Sequence, residues 1–103
     1  MTGLSGSGPA YVFHLIEAMA AAGEAEGLSP ELAMRLARAT VSGAGELARR
    51  SPEPAATLRE NVTSPGGTTA AGLSVLMDEA QGLAPLMRRA VAAAAARARA
   101  LAG

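Results

Sequence analysis

The chain has 103 residues, half of them hydrophobic but only 2% aromatic, and its nine Arg balance nine acidic residues. That length suits one domain and excludes a two-domain enzyme, while the charge balance leaves no basic field to attract nucleic acid. With no Cys and a single His, a disulfide scaffold, a thiolate zinc site, a Cys nucleophile and a His-rich metal site are all excluded, and no metal is expected.

Ala, Leu, Glu, Arg and Met dominate, and all are good helix formers. No stretch alternates apolar and polar residues as a half-buried strand would, so the chain reads as all-α. A first helix should begin at Pro9, after the Gly/Ser-rich entry Gly3–Gly8, with Val12, Leu15, Ile16 and Met19 on one apolar face. Gly23 and Gly27 weaken its end. Ser29-Pro30-Glu31 supplies a cap, a Pro in the first turn and an early acid, so a second helix should run from there to about Arg50. Its apolar side is expected to carry Leu32, Leu36, Ala39 and Gly43. Gly43 and Gly45 each cost about 1 kcal/mol relative to Ala inside a helix. Close approach by another helix explains them better than drift in an Ala/Gly-rich sequence.

Ser51-Pro52-Glu53-Pro54 breaks this helix. A short helix is expected over Ala55 to Val62, then the irregular segment Thr63-Ser64-Pro65-Gly66-Gly67-Thr68-Thr69. A fourth helix should span about Thr68 to Ala80 and carry Leu73, Leu76 and Met77. The last should run from Pro85 to Leu101. The resulting Ala-rich helical bundle has four main helices and one short one. Ala buries little area, so such a bundle is marginal alone and self-association is expected. The longest apolar run, Ala90 to Ala96, is too short to span a bilayer, and no charged, apolar leader follows Met1. A soluble cytoplasmic protein without a membrane partner is expected.

The segment Thr63–Thr69 is the strongest candidate for chemistry. Hydroxyls flank the glycines on both sides, and Gly66 and Gly67 let the backbone approach a ligand. A helix starts immediately afterwards, so its free N–H groups and positive dipole end suit a carboxylate or phosphate. The competing reading is a Thr-capped helix after a tight turn. Nucleotide motifs fail: Walker A needs a Lys and the chain has none, and Gly6-Ser7-Gly8-Pro9-Ala10-Tyr11 lacks the third Gly and a preceding strand. His14 is better explained as a packing or half-exposed residue than as a catalyst. Arg49-Arg50 and Arg88-Arg89 read as solvated helix residues rather than phosphate ligands.

Two segments together resemble one family. Leu4-Ser5-Gly6-Ser7-Gly8-Pro9-Ala10-Tyr11 is similar to the opening of the C-terminal domain of pyrroline-5-carboxylate reductases. Asn61-Val62-Thr63-Ser64-Pro65-Gly66-Gly67-Thr68-Thr69, followed by Ala71-Gly72-Leu73, resembles that family's signature loop and helix. The resemblance implies that residues 1–103 form a helical C-terminal domain, intertwined as a homodimer and in many members assembled further into a decamer. It implies an oxidoreductase of proline biosynthesis that reduces 1-pyrroline-5-carboxylate to L-proline with NADPH or NADH. A separate Rossmann domain would hold the nucleotide, so this chain alone is expected to be inactive.

By the same resemblance, Ser64 and the backbone of Gly66, Gly67 and Thr68 would hold the substrate carboxylate. Thr69 would hydrogen-bond the ring nitrogen, and Asn61 would support the loop or reach the ligand. The alternatives are a helical self-association module and a generic anion-binding protein. Met77 stands where many members carry an acid, and Asp78 to Leu83 departs from the family's usual Gly-Gly-Phe turn. The expected shared core is Leu15, Ile16, Leu32, Leu36, Leu73 and Leu76.

Overall fold

The computed structural model describes residues 6–103. The described residues form five helices and no strand: α1 (Gly8–Ala25), α2 (Pro30–Arg50), α3 (Ala55–Asn61), α4 (Thr68–Leu76) and α5 (Leu83–Ala102). The all-α class is as the sequence implied. Of the entry segment, Gly3, Leu4 and Ser5 lie outside the described residues. The chain divides into two units, one running Gly8–Glu53 and the other holding Pro54–Gly103.

The first unit is a helical hairpin. α1 ends in a Schellman motif: the Leu28 N–H donates to the Gly23 carbonyl at 3.1 Å, and the Gly27 N–H to Glu24 at 3.0 Å. Gly27 takes φ +109 there, a conformation that costs glycine little. Ser29 then caps α2, its hydroxyl accepting from the Leu32 N–H at 3.2 Å. Pro30 and Glu31 follow in the first turn, and Arg49 and Arg50 close the last, as the dipole favours.

The hairpin closes on small residues. Ala20, Ala33 and Ala37 are its buried apolar residues, with Ile16 and Met19 packed partly against them. A Cβ on Gly23 would lie 3.4 Å from Ala33 Cβ and 3.2 Å from Leu28 Cδ1. The close helix approach within the chain is therefore at Gly23. At Gly43 and Gly45 nothing among the described residues lies within 4 Å of an added Cβ. The apolar side of α2 is also turned from the expected one. Ala33 and Ala37 face α1, Leu32 is half-buried, and Leu36 remains 47% exposed. The reason is size: helices that meet through Ala and Gly come too close to admit a Leu between them. On α1, Val12 and Leu15 are exposed, so the packed face there is Ile16, Met19, Ala20 and Gly23.

In the second unit, hydrogen-bonded turns connect the helices. α4 ends at Leu76, four residues before the expected Ala80. Met77 has left the helix, and Asp78 supplies a local alternative: its carboxylate accepts the N–H groups of Ala80 at 3.1 Å and Gln81 at 2.7 Å. Aspartate competes with helix propagation in this way. The Gly82 N–H returns to the Asp78 carbonyl at 2.9 Å, and α5 starts at once. Pro85 sits in the first turn of α5, where a missing N–H is harmless. Gly82 and Pro85 are this unit's buried residues, whereas Leu58, Leu73, Met87 and Val91 are half-buried and Leu76, Leu86 and Leu101 exposed.

Of the six residues expected in a shared core, only Ile16 packs on a buried cluster in the single chain.

Candidate functional site

The signature loop is built between the end of α3 and the start of α4. α3 ends as Val62 N–H donates to Arg59 O at 3.3 Å and Thr63 N–H to Glu60 O at 3.0 Å. The Thr63 hydroxyl also donates to Arg59 O, at 2.6 Å. A β-turn follows from Ser64 to Gly67, closed by the Gly67 N–H on the Ser64 carbonyl at 3.0 Å. Pro65 occupies its second position and Gly66, at φ +74, its third. That is the residue pattern of a type II turn, whose third position requires the left-handed region.

Gly67 is pressed against the same turn. A Cβ there would lie 3.2 Å from the Ser64 carbonyl oxygen. It also serves as the N-cap of α4, in extended geometry and with no side-chain cap bond. The first intrahelical bond runs from Ala71 N–H to Gly67 O at 3.1 Å. The N–H groups of Thr68, Thr69 and Ala70 therefore have no carbonyl partner within the helix. No acidic residue stands in the first turn of α4, so nothing there opposes an approaching anion.

The expected site residues fall together on this short stretch. Ser64, Gly66, Thr68 and Thr69 are exposed, and Gly67 is half-buried. The Gly67 N–H is committed to the turn, whereas the N–H groups of Gly66, Thr68, Thr69 and Ala70 have no hydrogen-bond partner among the described residues. Asn61 is exposed on the last turn of α3, and among the described residues its side chain makes no hydrogen bond. Thr63, read from the sequence only as one more loop hydroxyl, holds the loop. The available signal was a Thr four residues after Arg59 at a helix end, where Thr hydroxyls bond back to a carbonyl.

Other sequence candidates are elsewhere and solvated. His14 bonds Glu17 at 3.1 Å, with side-chain exposures of 81% and 72%. Arg49 pairs with Glu46 through two bonds of 2.9 and 2.8 Å. The Arg49 guanidinium holds the Glu46 carboxyl below its ordinary value, and Glu46 in turn raises Arg49. A shallow hollow of about 490 Å³ is lined by Ser74, Val75, Asp78, Ala80 and Gln81. It lies at the far end of α4 from the loop, and its one carboxylate is already spent on backbone N–H groups. Among the described residues no group of three or more His, Asp or Glu could hold a metal ion, and no helix is long and apolar enough to cross a membrane.

The family model described as pyrroline-5-carboxylate reductase dimerisation matches residues 1–101. The chain belongs to this family. Pyrroline-5-carboxylate reductase of Pisum sativum is 50% identical over 101 residues, covering 98% of this chain and 36% of that protein. The Pseudomonas aeruginosa enzyme of the same name is 46% identical over 97 residues, covering 94% of this chain and 35% of that protein. Among solved structures, Plasmodium falciparum pyrroline carboxylate reductase with NADP bound superposes with a TM-score of 0.90 at 38% identity, covering 99% of this chain and 38% of that one. A pyrroline-5-carboxylate reductase of Coxiella burnetii gives 0.89 at 44% identity, covering 97% of this chain and 36% of that one. The chain thus spans little more than a third of the length of these relatives, and the signature loop lies within the matched part.

Proposed function

We propose that the chain is the substrate-binding and dimerisation region of an oxidoreductase that reduces 1-pyrroline-5-carboxylate to L-proline with NADPH or NADH, a step of proline biosynthesis. The observation that supports this most is the turn from Ser64 to Gly67 set at the N-terminus of α4, in a chain of this family. The turn presents a hydroxyl and several free N–H groups to one small region, and the helix dipole adds to their pull on a carboxylate.

In this reading the substrate carboxylate is held by the Ser64 hydroxyl and the N–H groups of Gly66 and Thr68. Gly67 contributes by having no side chain to keep the ligand away. The Thr69 hydroxyl donates to the ring nitrogen and so fixes the face that the C=N carbon presents, while Asn61 lies at the edge of the loop. When bound, the reduced nicotinamide supplies the hydride that adds to that carbon. The residues of this chain catalyse by positioning, since the cofactor brings the difficult chemistry. The nucleotide is held by a Rossmann domain, and the chain by itself is inactive.

The reading includes a homodimer, with the decamer built from such dimers as the full assembly, and a cytoplasmic location. Large apolar side chains left open to solvent, Phe13 at 66% and Leu36 at 47% among them, support a second copy as the cover for this surface.

A titration followed by amide NMR tests the site. L-proline should shift the amides of Gly66, Thr68 and Thr69, and Thr69→Ala should weaken its binding several-fold. Equal shifts with inorganic sulfate would mean generic anion binding. No shift with either would leave the loop as a plain turn in a self-association module.

A further inference from the structure

Thr63 ties the signature loop to the end of α3 through both its backbone and its side chain. Its hydroxyl donates to the Arg59 carbonyl at 2.6 Å, and its N–H donates to Glu60 at 3.0 Å. The residue is therefore held at two atoms by the last carbonyls of α3. The next residue, Ser64, supplies the carbonyl that closes the turn onto Gly67 at 3.0 Å. Two sets of hydrogen bonds, one at Thr63 and one at the neighbouring Ser64, thus flank the single peptide link between the end of α3 and the turn that leads to the N-cap of α4.

The same geometry excludes a direct role. A hydroxyl has one proton, and a carbonyl oxygen only accepts, so the Thr63 proton is spent on Arg59. A carboxylate ligand needs donors, which Ser64 and the N–H groups of α4 still have. Thr63 is half-buried, so water competes poorly for this bond.

We propose that Thr63 is a positioning residue for the carboxylate site. Its hydroxyl bond to Arg59 fixes the direction in which the chain leaves α3, and so the placement of Ser64 and the Pro65–Gly66 turn. This rests on the carboxylate reading above, and a plain helix-end cap would make the same bond without affecting the ligand.

Thr63→Val keeps the shape and removes the proton, and Thr63→Ser restores the proton with one methyl fewer. Three readouts separate the roles: helicity, L-proline affinity and hydrogen exchange of the Gly67 amide. Thr63→Val should keep its helicity, exchange the Gly67 amide faster and bind L-proline more weakly by on the order of five-fold, the effect of one neutral hydrogen bond. Thr63→Ser should recover both exchange and affinity.

Unchanged Gly67 exchange in Thr63→Val overturns the proposal, as does wild-type L-proline affinity in that variant or failure of Thr63→Ser to recover. If the wild-type chain itself does not bind L-proline, the carboxylate reading fails instead. Gly67 exchange then decides alone whether Thr63 sets the turn.

Discussion

The amide of Gly67 donates to the carbonyl of Ser64 at 3.0 Å, and this bond closes the turn that leads into α4. Gly66 takes φ +74 within this turn, and α4 starts directly after it. Gly66→Ala should cost about 1 kcal/mol, because an L side chain resists that conformation. Gly67→Ala should displace the Ser64 carbonyl, which an added Cβ would meet at 3.2 Å. Thermal melts compared with L-proline affinities check both. Each variant should lose more affinity than its stability loss explains.

Gly82 is the tightest glycine in the chain. An added Cβ would collide with the carbonyl oxygens of Leu76 and Asp78, both backbone atoms with little freedom to yield. Gly82→Ala should destabilise by about 1–3 kcal/mol, the range for overpacked sites. A denaturation midpoint equal to wild type would contradict the turn between α4 and α5.

Gly43 gives an opposite kind of test. Among the described residues nothing lies within 4 Å of an added Cβ there, so Ala should gain about 0.8–1 kcal/mol of helix propensity. If a helix of a second copy lies against it, the methyl group also obstructs that contact. Gly43→Ala should therefore raise helicity while weakening self-association, read by circular dichroism and by mass on dilution. Higher helicity with unchanged association would place Gly43 outside the interface.

The Glu46–Arg49 pair makes a pH prediction. Glu46 is held below its ordinary value of 4.5 by the Arg49 hydrogen bond, and both side chains are exposed. A carboxyl depressed in the folded state stabilises above its unfolded value, and that contribution is lost as pH falls through the folded value. Carboxyl NMR should find the Glu46 midpoint below 4.5 in the folded protein, and Arg49→Gln should return it toward the ordinary value. An identical midpoint in the two proteins would contradict the pairing.

Ser29 caps α2 by accepting the Leu32 N–H at 3.2 Å. Ser29→Ala should cost about 1 kcal/mol, seen as a lower melting temperature with the fold retained.

Local chemistry made much of this legible in the sequence. Ser29-Pro30-Glu31 fixed the start of α2, and Pro52 its end, because caps and prolines act over one turn. Pro65-Gly66 marked the turn for the same reason. Where a side chain competes with the helix, pattern reading failed: Leu76, Met77 and Ala80 continue the apolar period of α4, but the Asp78 carboxylate takes the N–H groups of Ala80 and Gln81.

Packing was harder to read than boundaries. Hydropathy pointed to Leu36, yet Ala33 and Ala37 are buried, since Gly23 permits an approach too close for Leu. Thr63 was passed over because its bond to Arg59 depends on where α3 stops. The identity of the loop came from its motif, and the donors it leaves free came only from the geometry.

We propose that this chain completes its core with a second copy of itself. Among the described residues the buried apolar side chains are three alanines and Pro85, too little to hold an isolated fold of this length. Light scattering over a concentration series, with helicity recorded on the same samples, tests this most directly. The expected result is a helical species near twice the chain mass of 10.2 kDa that persists on dilution. A stable, fully helical monomer would contradict it.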